Sequence, residues 1–192
     1  MPVMAYNPWI LLYAPAVVCT GKHLVVVLRR DSRVHVMDTT SLKWSTASKQ
    51  RYPPSKPSLA VCGTELYVLD SEKTVISCSL PTLLQSSSAV FPKTTEVWQK
   101  LTRAPVEDST LTTLCGQLVA VGGRNALSEP VDTIHLYDPL MDSWHIIGYM
   151  PTARYDCLVA TLPGDILVVI GGVTREGTTE RQCNVVEVAC PM

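Results

Sequence analysis

Four histidines and seven cysteines are the residues of this chain best able to hold a metal or attack a substrate. A zinc or copper site needs three or four such ligands converging at characteristic spacing. His23, His35, His135 and His145 do not offer it. His35 and His135 hold matching places in two similar segments, Val34 to Asp38 and Ile134 to Asp138, so repetition accounts for them without a ligand. The cysteines are Cys19, Cys62, Cys78, Cys115, Cys157, Cys183 and Cys190. Their number is odd, no C-x-x-C occurs, and there is no N-x-S/T sequon. That usage fits a reducing, cytoplasmic setting rather than a disulfide framework. Cys62 and Cys115 precede turn glycines with no activating His or Lys beside them in sequence, which suits packed, inert thiols. Cys183 and Cys190 are the most reactive candidates. The pairs Gly122-Gly123 and Gly171-Gly172 lack the G-x-G-x-x-G or G-K-[ST] context of a phosphate loop. Asp132, Asp138 and Asp142 stand at turns, and nothing pairs them as acid and base. No catalytic residue, metal or cofactor is expected, and the chain is not expected to be an enzyme.

Composition narrows the partners. The net charge is -1 and the pI about 6.4. A nucleic-acid partner ordinarily leaves a strongly basic footprint, so none is expected. The first 21 residues carry no charged side chain. Yet no Lys or Arg precedes the apolar run, and Pro8 and Pro15 interrupt it, which argues against both a signal peptide and a membrane helix.

The elements follow from an internal repeat. Residues 112–123 read TTLCGQLVAVGG and residues 159–172 read VATLPGDILVVIGG. Residues 18–27 (VCTGKHLVVV) and 61–69 (VCGTELYVL) are weaker copies in which Arg29-Arg30 and Asp70-Ser71 replace the double glycine. Each is a short strand, a Gly-containing hairpin turn and a second strand. A third strand ends at Asp38 or Asp138, and a Trp follows six residues later, at Trp44 or Trp144. Trp9 and Trp98 complete the set of four.

These features resemble the kelch repeat, a four-stranded propeller blade of about 50 residues. Gly122-Gly123, Gly171-Gly172, Tyr137-Asp138-Pro139 and Trp144 carry the likeness, strongest over residues 98–190. It implies an all-β, kelch-type β-propeller of about four four-stranded blades, at 15–47, 58–101, 109–147 and 155–190. A Ser-rich insertion, 81–95, is expected to be a loop. The last blade lacks a fourth strand, and residues 8–12 around Trp9 are a candidate to close it. The intracellular kelch proteins that the chain resembles usually have six blades and often a BTB domain, so an incomplete propeller is also an open reading.

Strand alternation then places the loops. In an antiparallel blade the second-to-third-strand loops and the blade-to-blade loops emerge at one end. Here they are 29–33, 49–56, 70–73, 102–108, 124–131, 149–154 and 175–181. These segments hold twelve basic and eight acidic residues, and they include all nine arginines. Arginine's planar fork suits carboxylates. The expected function is a protein-interaction scaffold that binds an acidic segment of a partner protein or peptide. Arg124 and Arg154 are the first candidates, with Arg175, Arg103, Arg51, Arg29 and Arg30 beside them. The resemblance adds a role as the substrate-recognition part of a ubiquitin-ligase adaptor. The alternatives are a propeller enzyme or carbohydrate-binding protein, for which the chain offers no His/Tyr copper set or sialidase-type Asp-box turn, and a truncated fragment without independent function.

Overall fold

The computed structural model describes residues 16–27, 33–49, 56–85 and 98–189. Blade one is β1 (Ala16–Thr20), β2 (His23–Val27), β3 (Arg33–Asp38) and β4 (Lys43–Lys49), hydrogen-bonded in that order. Blade two is β5 (Ser58–Cys62), β6 (Glu65–Leu69) and β7 (Val75–Ser79), then a helix, α1 (Leu80–Gln85), and a short fourth strand, β8 (Gln99–Lys100). Blade three is β9 (Thr110–Leu114), β10 (Gln117–Val121), β11 (Thr133–Asp138) and β12 (Ser143–Tyr149). Blade four has β13 (Leu158–Leu162) and β14 (Ile166–Ile170). A separate hairpin, β15 (Val173–Glu176) with β16 (Thr179–Gln182), follows before β17 (Val186–Ala189) pairs with β14. All these strand pairs are antiparallel, and the innermost strands pack in succession: β1 on β5, β5 on β9, β9 on β13. The architecture is the expected all-β propeller of the kelch type.

The inner strands are apolar on both faces where each face meets a neighbouring blade. On β6, Leu66 and Val68 join Val25, Val27, Val34 and Val36 of blade one. Leu69 on the opposite face joins Leu111, Leu118 and Ala120 of blade three. Leu114, Val119, Val121 and Ile134 of blade three in turn cover Leu167 and Val169 of blade four. Each such side chain contributes roughly 1.5–3 kcal/mol on burial. Hydroxyls stitch the inner strands where apolar contact ends. Ser58 Oγ accepts the Leu111 amide (2.8 Å) and Thr110 Oγ1 donates to the Cys157 carbonyl (2.7 Å). Thr161 Oγ1 donates its proton to the Thr113 carbonyl (2.5 Å), so Thr112 Oγ1, 3.2 Å away, is the donor in their pair.

Three expectations need correction. Residues 81–85 are helical rather than loop. Leu80, Leu83 and Leu84 recur at helical spacing, Leu80 and Leu83 are buried under blade two, and Pro81 is suited to a first helical turn. Residues 175–181 belong largely to the β15–β16 hairpin, where β-branched residues flank a turn at Gly177. The strands of blade four run from Leu158 to Ala189, starting three residues inside the expected 155–190. The proposed closing strand at 8–12 lies outside the described residues.

The double glycines do what their crowding suggests. Gly123 and Gly172 have φ of 123° and 91°, backbone that L-residues rarely adopt. A Cβ on Gly123 would collide with the Glu107 carbonyl, and one on Gly172 would lie 2.7 Å from the Tyr155 carbonyl.

Candidate functional site

The loop end of blades two and three encloses a cleft of about 360 Å³ lined by Lys56, Ser71, Glu72, Arg103, Glu107, Asp108 and Arg124. Local backbone chemistry sets each wall. Asp70 Oδ1 accepts the amides of Glu72 and Thr74, both at 2.9 Å, which fixes the turn that carries Glu72. The Ala104 amide donates to the Lys73 carbonyl (2.9 Å), so Arg103 is held beside that turn. Its Nη2 donates to the Glu72 carbonyl at 2.6 Å. Glu107 and Arg124 exchange both backbone bonds, at 2.9 and 2.7 Å, placing the Arg124 side chain over the floor.

The floor is a chain of charges across three blades. The Arg124 guanidinium stacks on the Tyr155 ring, 4.7 Å from its centroid, and donates to Asp108. The Asp108 side chain is 1% exposed, and its other oxygen is 3.7 Å from Lys56 Nζ. Lys56 also bonds Asp156 at 3.0 Å. Burial, followed by a hydrogen bond with Glu180, raises the Tyr155 phenol above its ordinary range and keeps it neutral. Basic and acidic residues lining the cleft are equal in number, three and three, so the cleft itself carries no positive excess.

The arginines expected to bind a partner therefore divide. Arg103 is exposed at the rim, and among the described residues its guanidinium has a carbonyl rather than a carboxylate as partner. Arg124 is on the cleft wall but engaged with Asp108. Arg154 corrects the expectation: it is fully buried. Its Nη2 lies 2.7 Å from Glu187 Oε2, a contact of charge rather than an aligned hydrogen bond. Its Nη1 donates to the carbonyls of Gly171 (3.1 Å) and Val185 (3.2 Å). Its backbone carbonyl meanwhile accepts the Gly123 amide (2.9 Å). Arg154 is an internal latch between blades three and four, closed to a partner. Arg175 is exposed on β15, and neighbouring Arg181 pairs with Glu176 at 2.6 Å. Arg29, Arg30 and Arg51 lie outside the described residues. Lys56, Asp108, Tyr155 and Asp156 escape sequence reasoning as a unit, because 100 residues separate the ends of their network.

The remaining chemistry-bearing groups are scattered. Cys78, Cys157 and Cys183 are buried, which corrects the idea that Cys183 is reactive, while Cys115, expected to be packed, is instead exposed at its hairpin turn, as is Cys19. Cys190 lies outside the described residues. Burial pushes the Cys78 thiol up to about 12. His135 is buried and its pKa lowered by desolvation. Among the described residues no cluster of three or more His, Cys, Asp or Glu is placed to hold a metal ion. Among them, too, no helix is long and apolar enough to cross a membrane.

Comparison with known proteins agrees with this architecture. Residues 108–151, from Asp108 on the cleft floor through blade three, match the Kelch motif family. An F-box/kelch-repeat protein of Arabidopsis thaliana is 28% identical over 149 residues, covering 74% of this chain and 38% of the relative. The chain thus spans well under half the length of that curated relative. The blades of the structure and these two likenesses agree on the fold: a kelch motif at residues 108–151 stands within a propeller of the kelch type.

Proposed function

We propose that this kelch-type propeller is a protein-interaction scaffold whose loop end binds an acidic segment of a partner protein, with Arg103 as the principal contact. The observation that carries the reading is the contrast between Arg103 and its neighbours. Arg124 and Arg154 direct their charge at Asp108 and Glu187. The Arg103 fork stands exposed at the cleft rim, with no paired carboxylate among the described residues. A carboxylate arriving there gains a charge-assisted bond from a donor shaped for bidentate contact. The backbone next to Arg103 is held from blade three, where Asp142 Oδ1 accepts the Thr102 amide at 2.9 Å.

The narrower role, substrate recognition within a ubiquitin-ligase adaptor, draws its support from the F-box that the Arabidopsis relative's name couples to kelch repeats. A cytoplasmic setting is supported by the six free cysteines among the described residues. A binding screen of the purified chain against fluorescent acidic, neutral and basic peptides tests the central reading. Acidic peptides should be retained, and Arg103→Glu should weaken them at least tenfold while the melting temperature stays unchanged. A preference for basic peptides, or indifference to Arg103→Glu, overturns it.

A further inference from the structure

Most of the charges around the loop-end cleft neutralise one another, and two are left over. Lys56 is 3.0 Å from Asp156 and 3.7 Å from Asp108, and Arg124 donates to Asp108. Two cations and two carboxylates thus cancel on the floor. Lys73 stands 4.0 Å from Glu107, a looser pair of the same kind. Arg103 and Glu72 remain. Both line the cleft and both are exposed. Among the described residues neither has an oppositely charged partner, and they do not pair with each other. The reason is local. Arg103 Nη2 donates to the Glu72 backbone carbonyl at 2.6 Å, so the guanidinium is anchored to the main chain of Glu72 and not to its carboxylate. The Glu72 amide donates to Asp70 Oδ1 (2.9 Å), which pins the same turn. One fixed contact therefore carries an uncompensated positive group and an uncompensated negative group side by side. By standard bond lengths the Glu72 carboxylate lies within about 10 Å of the nitrogen bound to its own carbonyl.

We propose that the acidic segment held at Arg103, on which reading this one rests, carries a basic side chain two residues from its acidic one, and that Glu72 takes the base. In an extended chain, side chains two residues apart point to the same side, about 6.6 Å from each other. That separation is within the span of Arg103 and Glu72. Electrostatics select against an unbroken acidic run. Such a run gains at Arg103 but brings its next carboxylate to Glu72, with Glu107 lining the same cleft. The other two cations among the described lining residues, Lys56 and Arg124, are already engaged with carboxylates. Like charges brought together discriminate against the wrong partner, as opposite charges favour the right one. A base at that place turns Glu72 from an obstacle into a contact. Both groups are exposed to solvent, so each contact is modest, and the pair confers selectivity more than tightness.

Fluorescence anisotropy of the purified chain with short labelled peptides tests this. The peptides share a Ser-Gly background and differ in their central residues: Asp-Ser-Lys, Asp-Ser-Ser and Asp-Ser-Asp. Lys-Ser-Asp is added so that both chain directions are sampled. The better of the two mixed orders should bind about threefold more tightly than Asp-Ser-Ser, the size expected of one exposed ion pair, and more tightly still than Asp-Ser-Asp. Glu72→Lys should invert the ranking, making Asp-Ser-Asp the tightest. Glu72→Gln should narrow the differences. Both variants change an exposed side chain, so their melting temperatures should match the wild type. Binding that Arg103→Glu abolishes, but in which Asp-Ser-Asp equals or exceeds the mixed peptides or Glu72→Lys leaves the ranking unchanged, overturns the role of Glu72 and leaves the acidic-partner reading standing. If no peptide binds, or if Arg103→Glu makes no difference, the acidic-partner reading fails and the role of Glu72 fails with it.

Discussion

Arg154 shows how one side chain can be read correctly as chemistry and wrongly as location. Its type suggests a fork for an acidic partner, and it is such a fork, but its acid is Glu187, 33 residues along the same chain. Thr152 completes the arrangement, donating from Oγ1 to Glu187 Oε1 at 2.5 Å. Arg154→Leu would leave Glu187 with its Thr152 bonds but no counter-charge, and unpaired buried charges are costly. The variant should lose about 3–5 kcal/mol of stability, measurable by urea denaturation. Arg154→Leu/Glu187→Leu should recover a substantial part of that loss. Gly123 makes a second prediction at this scale. Gly123→Val must place a side chain into the Glu107 backbone at a φ of 123°, so overpacking and backbone strain coincide. The variant should be among the most destabilised in the chain, with a melting temperature lower by roughly ten degrees or more, or an insoluble product. A soluble variant with wild-type melting would contradict the close approach.

The strands are the legible part of the sequence. Apolar runs bounded by Gly-containing turns are a local signal, and β9 to β12 stand almost where the repeat places them. What escapes is non-local or short. Helix α1 has only six residues, too few for a period to stand out from a Ser-rich context. The β15–β16 hairpin is charged towards its tip and reads as loop, since its pairing depends on backbone rather than on apolar alternation. The cleft is legible only as a set of loops at one end. That Lys56 and Asp156 meet over Asp108 depends on blade packing, which no local pattern encodes. His135 on β11 gives this scale its prediction. Burial lowers its pKa, so the folded state holds the neutral ring and the unfolded chain binds the proton more readily. Stability should therefore decline as pH falls below about 6.5, the ordinary histidine value, and level off below the folded-state value. In His135→Leu, that part of the pH dependence of the melting temperature should disappear.

At the scale of the whole molecule, the network through Asp108 matters because it joins three blades. Lys56 leads into blade two, Arg124 follows β10 in blade three, and the Asp156 amide, leading into blade four, donates to the Asp108 carbonyl at 3.5 Å. With the Ser and Thr stitching along the inner strands, this should make unfolding cooperative across blades. Trp98 reports on blade two and Trp144 on blade three, packed in separate clusters. Thermal unfolding followed by tryptophan fluorescence and by far-ultraviolet circular dichroism should give coincident single transitions. Two separated transitions would mean that the blades melt independently. Asp108→Ala should broaden or split the transition.

The turn between β3 and β4 has a practical use. Asp38 Oδ1 accepts the amides of Thr40 (2.8 Å) and Ser41 (2.9 Å), and the Thr39 amide reaches the Lys22 carbonyl at 2.8 Å. The hairpin is thus closed at its base, by groups that do not include the Thr40 and Ser41 side chains, and among the described residues none of blade one lines the cleft. A small epitope tag or fluorophore-binding loop inserted between Thr40 and Ser41 gives up the Asp38–Ser41 bond but keeps the Thr39–Lys22 bond and the β3–β4 ladder, so it should be carried as passive cargo. That would give a handle for immobilising or imaging the protein while the Arg103 rim remains open to whatever it meets.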